Sequence, residues 1–289
     1  MTLTQSTTRT LDVPGATLTY DVRPGGSGDD TPLFLIGSPM AAAGFVTLAS
    51  HFPDRTIITY DPRGSERSTK DDPTTESTPE QHADDLHRII DEVGGPVDLF
   101  ASSGGAVNAL TLVAKHPEDV RTLIAHEPPL ASVLADSDNA KAAVRAISDS
   151  YQRGGFGAGM AHFIAVTGHR GPFPEDFASQ PGPDPATFGM PAEDDGNRTD
   201  VLLAQNIFTC THHELDFDAL KAASTRIVLA AGTESEGEMA NRGAYGVAER
   251  LGTEPVAFPS HHGGFLGGEY GWPGEPDAFA AKLREALES

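Results

Sequence analysis

Apolar positions along the chain fall into two kinds of run. Short, nearly continuous apolar stretches lie at residues 16–22, 32–36, 55–60, 97–101, 122–125, 226–230 and 255–258, and they predict strands. Between them, apolar residues recur at helical spacing. Ala83, Leu86, Ile90 and Val93 form one such face, residues 105–115 and 238–251 carry others, and Phe279, Leu283 and Leu287 mark a closing helix. The first helix has defined ends: Thr78 with Gln81 makes a capping box, Pro79 suits the first turn, and Gly94-Gly95 stops it. Strands alternating with helices predict an α/β fold, a mostly parallel sheet with helices on both faces.

The alternation breaks in the middle. Across residues 131–223 the β-branched runs vanish, a helical pattern occupies 140–151, and 171–200 is rich in proline, glycine and acidic residues. This predicts a core domain made of residues 1–130 and 224–289, with 131–223 as a helical lid or cap insertion. Such a segment above a sheet edge shapes the pocket and excludes water, with an unstructured linker as the alternative for 171–200.

Composition narrows the function classes. With 289 residues, 38% of them hydrophobic, the chain can bury a large core, so one catalytic domain with an insertion is the economical organisation. No apolar run approaches the about 20 residues of a membrane-spanning helix, and Met1-Thr2-Leu3-Thr4-Gln5-Ser6-Thr7-Thr8-Arg9 lacks the apolar stretch of a leader. The expectation is a soluble, cytoplasmic protein. A formal net charge of -22 argues against nucleic acid or an anionic membrane as partner, which leaves a small molecule. The single cysteine, Cys210, cannot form an internal disulfide and is expected as a small buried apolar residue. His212, His213 and Glu214, and His82 with His87, lack a third ligand at recognisable spacing, so neither a metal nor a cofactor is expected.

Candidate chemistry begins at Ala101-Ser102-Ser103-Gly104-Gly105. A strand that turns sharply into a helix can hold one serine in a strained conformation with its hydroxyl exposed, provided small residues stand two before and two after it. Ala101 and Gly105 meet that demand for Ser103, whereas Ser102 has the bulky Phe100 two before it. Ser103 is therefore the candidate nucleophile. Gly104 follows at the start of a helix, where its backbone N–H can face a developing oxyanion.

These elements resemble the α/β-hydrolase superfamily over about residues 31–130 and 224–289. Tyr60-Asp61-Pro62-Arg63-Gly64 is similar to that family's turn after its fourth strand, which implies structural roles for Asp61 and Arg63. The family's second oxyanion donor comes from the loop after its third strand, here Ile36-Gly37-Ser38-Pro39-Met40. Proline has no N–H, so the resemblance implies Ser38, with Met40 as the lesser candidate. Ile36 stands where the family often has histidine. In Phe258-Pro259-Ser260-His261-His262-Gly263-Gly264-Phe265, a histidine in a glycine-rich loop past the last strand can reach the nucleophile in space. His262 fits the family pattern better than His261, because Gly264 and Phe265 follow it at the expected offsets. As a neutral base with an ordinary value of about 6.5, it should lose activity as it protonates.

The acid departs from the common family pattern. The usual position holds Gly232-Thr233-Glu234-Ser235-Glu236, with serine near the expected aspartate. Ala125-His126-Glu127-Pro128-Pro129 instead ends the strand beside the nucleophile strand in a glutamate followed by two prolines, which restrict its backbone. This layout resembles that of the zearalenone lactonases, which implies Glu127 as the acid, with Glu234 and Glu236 as alternatives. The resulting expectation is a serine hydrolase that cleaves a carboxylic ester or lactone through a Ser-His-Glu acyl-enzyme. The alternatives are a cofactor-independent peroxidase, oxygenase or lyase on the same scaffold, and a ligand-binding protein with an idle triad.

Overall fold

The computed structural model describes residues 5–25 and 31–289. Residues 1–4, part of the opening stretch considered above for a leader, lie outside the described residues. Among the described residues nine strands form one sheet: β1 (Thr7–Val13), β2 (Ala16–Arg23), β3 (Leu33–Ile36), β4 (Ile57–Asp61), β5 (Thr69–Lys70), β6 (Val97–Ser102), β7 (Val120–His126), β8 (Arg226–Gly232) and β9 (Val256–Phe258). Their order is β1-β2-β4-β3-β6-β7-β8-β9, with β5 paired to β2. The pairings from β4 through β9 are parallel, and β2 runs antiparallel to β1, β4 and β5. The described residues also form eight α-helices: α1 (Val46–Ser50), α2 (Pro79–Val93), α3 (Gly104–Lys115), α4 (Ser137–Thr167), α5 (Ile207–Thr211), α6 (Phe217–Ala222), α7 (Met239–Leu251) and α8 (Pro276–Glu288).

The parallel strands read as continuous apolar runs because both of their faces are covered. Their period-two alternation sorts side chains into two cores. Phe34, Ile36, Leu99, Ala101, Leu123 and Ala125 pack with α2, α3 and α7 on one face. Leu33, Leu35, Phe100, Ile124 and Ala230 pack with α1 and α8 on the other, where Phe279, Leu283 and Leu287 are buried as the spacing predicts. On α2 the capping box of Thr78 and Gln81 is formed, and Gly94 ends the helix at φ 84°. The buried face of α2 differs slightly from expectation: Ile89 is buried beside Leu86 and Ile90, while Val93, in the last turn, is half-buried.

Between β7 and β8 the described chain contains helices and turns but no strand. The long α4 includes the predicted 140–151 helix and is interrupted at Gly155, whose φ of 75° requires glycine. The proline-rich residues 171–200 are irregular, with 3-10 turns at Phe177–Ser179 and Pro185–Phe188, yet they lie against α4. A Cβ on Gly157 would stand 1.8 Å from the Pro191 carbonyl oxygen, so the glycines of α4 admit this segment. Asp136 accepts from the Phe173 N–H at 2.7 Å and also pairs with Arg242, tying this segment to α7. Cys210 is buried, and its thiol is pushed up to about 12 by desolvation. Among the described residues no helix is long and apolar enough to cross a membrane.

Candidate active site

Strand β6 delivers Ser103 and strand β7 delivers Glu127. The last paired residues of the two strands are Ser102 and His126, so the next residue of each chain stands at the same sheet edge. Both turn abruptly there. Ser103 has φ 57° and ψ -128°, and Glu127 has φ 48°, left-handed values that cost L-residues energy and collect at functional sites. The glutamate's conformation departs from expectation, because Pro128 favours an extended residue before it. The Ser103 N–H donates to the His126 carbonyl at 2.9 Å, and the Glu127 N–H to the Ala230 carbonyl at 3.1 Å, and these two bonds stitch the strained turns to neighbouring strands.

The elbow depends on its glycines through space. A Cβ on Gly104 would meet the Ser38 carbonyl oxygen at 2.6 Å, and one on Gly105 would meet the Gly37 Cα at 2.8 Å. The loop after β3 therefore lies directly against the start of α3, bringing Ser38 beside Gly104. Ser102 faces inward, is 3% exposed, and bonds His126 Nδ1 at 3.1 Å, whereas Ser103 is partly exposed.

Glu127 is fully buried, yet every contact of its side chain favours the ionised form. Oε2 is 2.6 Å from His262 Nδ1. Oε1 accepts from the Gly232 N–H at 2.8 Å, from Asn241 Nδ2 at 3.1 Å, and from the Ser235 hydroxyl. Burial alone would raise its pKa, but the His262 bond, the flanking imidazoles and Ser235 outweigh it and hold the carboxyl well below the usual range. Ser235 thus occupies the position where the family's usual acid was sought and donates to the Glu127 carboxylate at the end of β7. Glu234 and Glu236 are exposed, and neither contacts His262.

The His262 side chain is 27% exposed, sheltered rather than sealed. Burial would lower its pKa, but the bond and charge of Glu127 and the nearby Glu238 carboxylate raise it above 6.5. This corrects the expectation of an unperturbed histidine. With Nδ1 on Glu127, Nε2 remains the free nitrogen, and among the described residues no hydrogen bond joins it to Ser103 Oγ. His126, a residue the sequence did not single out, lies 5.8 Å from the His262 ring at an interplanar angle of 25°. Desolvation pushes it down to about 4, so it is a neutral plate, enclosed by Phe100, Phe258, Phe265 and Phe279.

The remaining sequence candidates take other places. His261 Nδ1 accepts from the Gly263 N–H at 3.0 Å and shapes its own loop. Asp61 accepts from the Ala42 N–H at 3.0 Å and from Arg67, and Arg63 forms a buried bidentate pair with Asp85 at 2.7 and 2.8 Å. His82 bonds Asn206 at 2.7 Å, His213 bonds Thr111 at 3.0 Å, and His212 stacks on Phe208. A surface hollow of about 560 Å³ lies between β2, β4 and residues 42–49, and none of Ser103, Glu127 or His262 lines it.

The strand order, the strained serine at the end of β6 and the carboxylate-bound histidine past β9 define an α/β-hydrolase type of architecture. The family model for the alpha/beta hydrolase fold matches residues 33–181, and the chain belongs to that family. An uncharacterized hydrolase of Bacillus subtilis (strain 168), YraK, is 32% identical over 264 residues, covering 89% of each chain. Solved structures with the same fold include a thermophilic esterase from Thermogutta terrifontis, with TM-score 0.65 and 19% identity over 98% of each chain. A proline iminopeptidase of Mycobacterium smegmatis follows at TM-score 0.64 and 17% identity over 98% of each chain. E-2-(acetamidomethylene)succinate hydrolase has TM-score 0.61 and 21% identity, covering 99% of this chain and 100% of that one. The chain is a hydrolase of this family.

Proposed function

We propose that the protein is a serine hydrolase that cleaves a small carboxylic ester or lactone. Ser103 is the nucleophile, His262 the general base and Glu127 the acid, and the backbone N–H groups of Ser38 and Gly104 form the oxyanion hole. The observation that carries this reading is the 2.6 Å contact of the fully buried Glu127 with His262 Nδ1. It fixes the tautomer in which Nε2 can accept a proton.

In the first half-reaction Ser103 Oγ bonds the carbonyl carbon and its proton passes to His262 Nε2. The negative charge moves to the carbonyl oxygen, in reach of the two N–H donors. When the tetrahedral adduct collapses, the bond to the alkoxy oxygen breaks and His262 protonates the departing alcohol, which stays tethered if the substrate is a lactone. Water then attacks the Ser103 ester by the same route, releasing the acid and restoring Ser103. Glu127 stays ionised and stabilises the imidazolium during both steps. Residues 131–223 act as the lid that selects the substrate. The single cysteine fits action in the cytoplasm, where disulfides are rare. Turnover of a panel of chromogenic esters and lactones by wild type and Ser103→Ala tests the reading: activity confined to wild type supports it, and equal activity in both overturns it.

A further inference from the structure

At the opposite end of the sheet, two helices and a turn bring a second set of titratable side chains together. His87 lies on α2, His116 caps the C-terminus of α3, and Asp119 ends the short 3-10 turn that leads into β7. One donor atom from each lies within 4.8 Å of the other two. His87 Nδ1 is 2.7 Å from Asp119 Oδ2, and the two imidazoles stack with centroids 3.9 Å apart at 11°. Glu118 adds a fourth donor in reach, its Oε1 3.6 Å from His116 Nδ1.

Two imidazoles beside two carboxylates form a donor set of definite chemistry, and the rings must turn out of their stack to share an ion, because each nitrogen lone pair lies in its ring plane. Imidazole with carboxylate suits Zn²⁺ and its transition-metal neighbours, whereas Mg²⁺ and Ca²⁺ prefer oxygen alone. Tetrahedral zinc needs donors roughly 3.4 Å apart, so the closest pair, at 2.7 Å, must open slightly and the others, all within 4.8 Å, need close by at most about 1.4 Å. The side chains are free to do so, being 36% exposed for His87, 28% for His116 and 12% for Asp119, and mounted on fixed backbone. The net charge of -22 adds a general attraction for cations.

We propose that His87, His116 and Asp119 bind one divalent transition-metal ion of the Zn²⁺ type, with Glu118 completing the site. The ion clips α2 to the junction of α3 and β7. Its role is structural, because this junction precedes β7 and Glu127 follows that strand, about 20 Å away for seven residues. It is thus separate from the proposed acyl-transfer site at Ser103.

The test titrates ZnSO₄ into the full-length, metal-stripped protein, reading bound zinc by equilibrium dialysis and Tm by calorimetry. Expected are one zinc per chain and a Tm that climbs with zinc by mass action. His87→Gln, His116→Gln and Asp119→Asn should each weaken binding by about tenfold or more, the scale at which even outer-shell partners act. All three side chains are partly exposed, so the folds should persist, and His169→Gln, remote from the cluster, should bind like wild type. Absence of binding, or binding unchanged in all three cluster variants, overturns the proposal.

Discussion

Replacing Glu127 by glutamine separates an orienting acid from a strand-end carboxylate of purely structural use. Three donors converge on Oε1: the Gly232 N–H, Asn241 Nδ2 and the Ser235 hydroxyl. They fix the amide oxygen of the variant at that position, because an NH₂ group there would face three other donors. The amide nitrogen must then point at His262 Nδ1. A nitrogen that faces a donor has to accept, so the imidazole proton moves to Nε2, the atom required to take the Ser103 proton. The same acid-to-amide exchange in a serine protease triad lowers turnover about 10⁴-fold, or about 5 kcal/mol of transition-state stabilisation. The side-chain volume and the contacts of Oε1 are retained, so circular dichroism should match wild type. We expect kcat on a chromogenic ester to fall by about that factor in Glu127→Gln, with Glu234→Gln and Glu236→Gln near wild type. A folded Glu127→Gln within about tenfold of wild type, roughly 1.4 kcal/mol, would refute the reasoning.

Four further outcomes follow from the geometry. The acid limb of the kcat/KM profile should have its midpoint above 6.5, since Glu127 and Glu238 raise His262; a midpoint below 6.5 contradicts that account. Both members of the same pair stabilise the fold, with opposite dependence on pH. The depressed Glu127 contributes fully above its ordinary 4.5 and loses this as pH falls, while the raised His262 contributes fully below 6.5 and loses this as pH climbs through its folded value. Urea midpoints of wild type minus His262→Ala should therefore differ most between pH 4.5 and 6.5, and a flat difference contradicts the linkage. Gly104→Ala forces a Cβ to within 2.6 Å of the Ser38 oxygen and should displace the donor loop, lowering kcat by about 10²-fold; unchanged kcat removes Ser38 from the oxyanion hole. Asp85→Ala strands the Arg63 guanidinium, 4% exposed, without its partner and should cost about 3–5 kcal/mol in urea unfolding; a loss near zero contradicts the buried-pair account.

The parallel strands, α2, α3, α7 and α8 were legible because each must bury a face, and burial writes its period into the sequence. Strand β1 was not, since its residues are mostly exposed in an edge ribbon and carry no apolar alternation. The strained turn at Ser103 and the loop that carries His262 to Glu127 were legible through backbone demands, small residues around a tight turn and glycines after a late strand. Ser235 and Asn241 left no such trace, because each serves Glu127 across 108 and 114 residues of chain and is an ordinary polar residue locally. The one hint was a serine where an acid was expected. His116 and Asp119 escaped for the same reason: they complete a cluster with His87 only after α2 packs on α3.

The central claim is that Ser103 is the activated nucleophile, and covalent capture tests it most directly. The protein is treated with a serine-directed phosphonate, and the intact mass and the digested peptides are read by mass spectrometry. The account predicts one adduct per chain on Ser103, none in Ser103→Ala, and much slower labelling in His262→Ala. An adduct on Ser102, or undiminished labelling of Ser103→Ala, would contradict it.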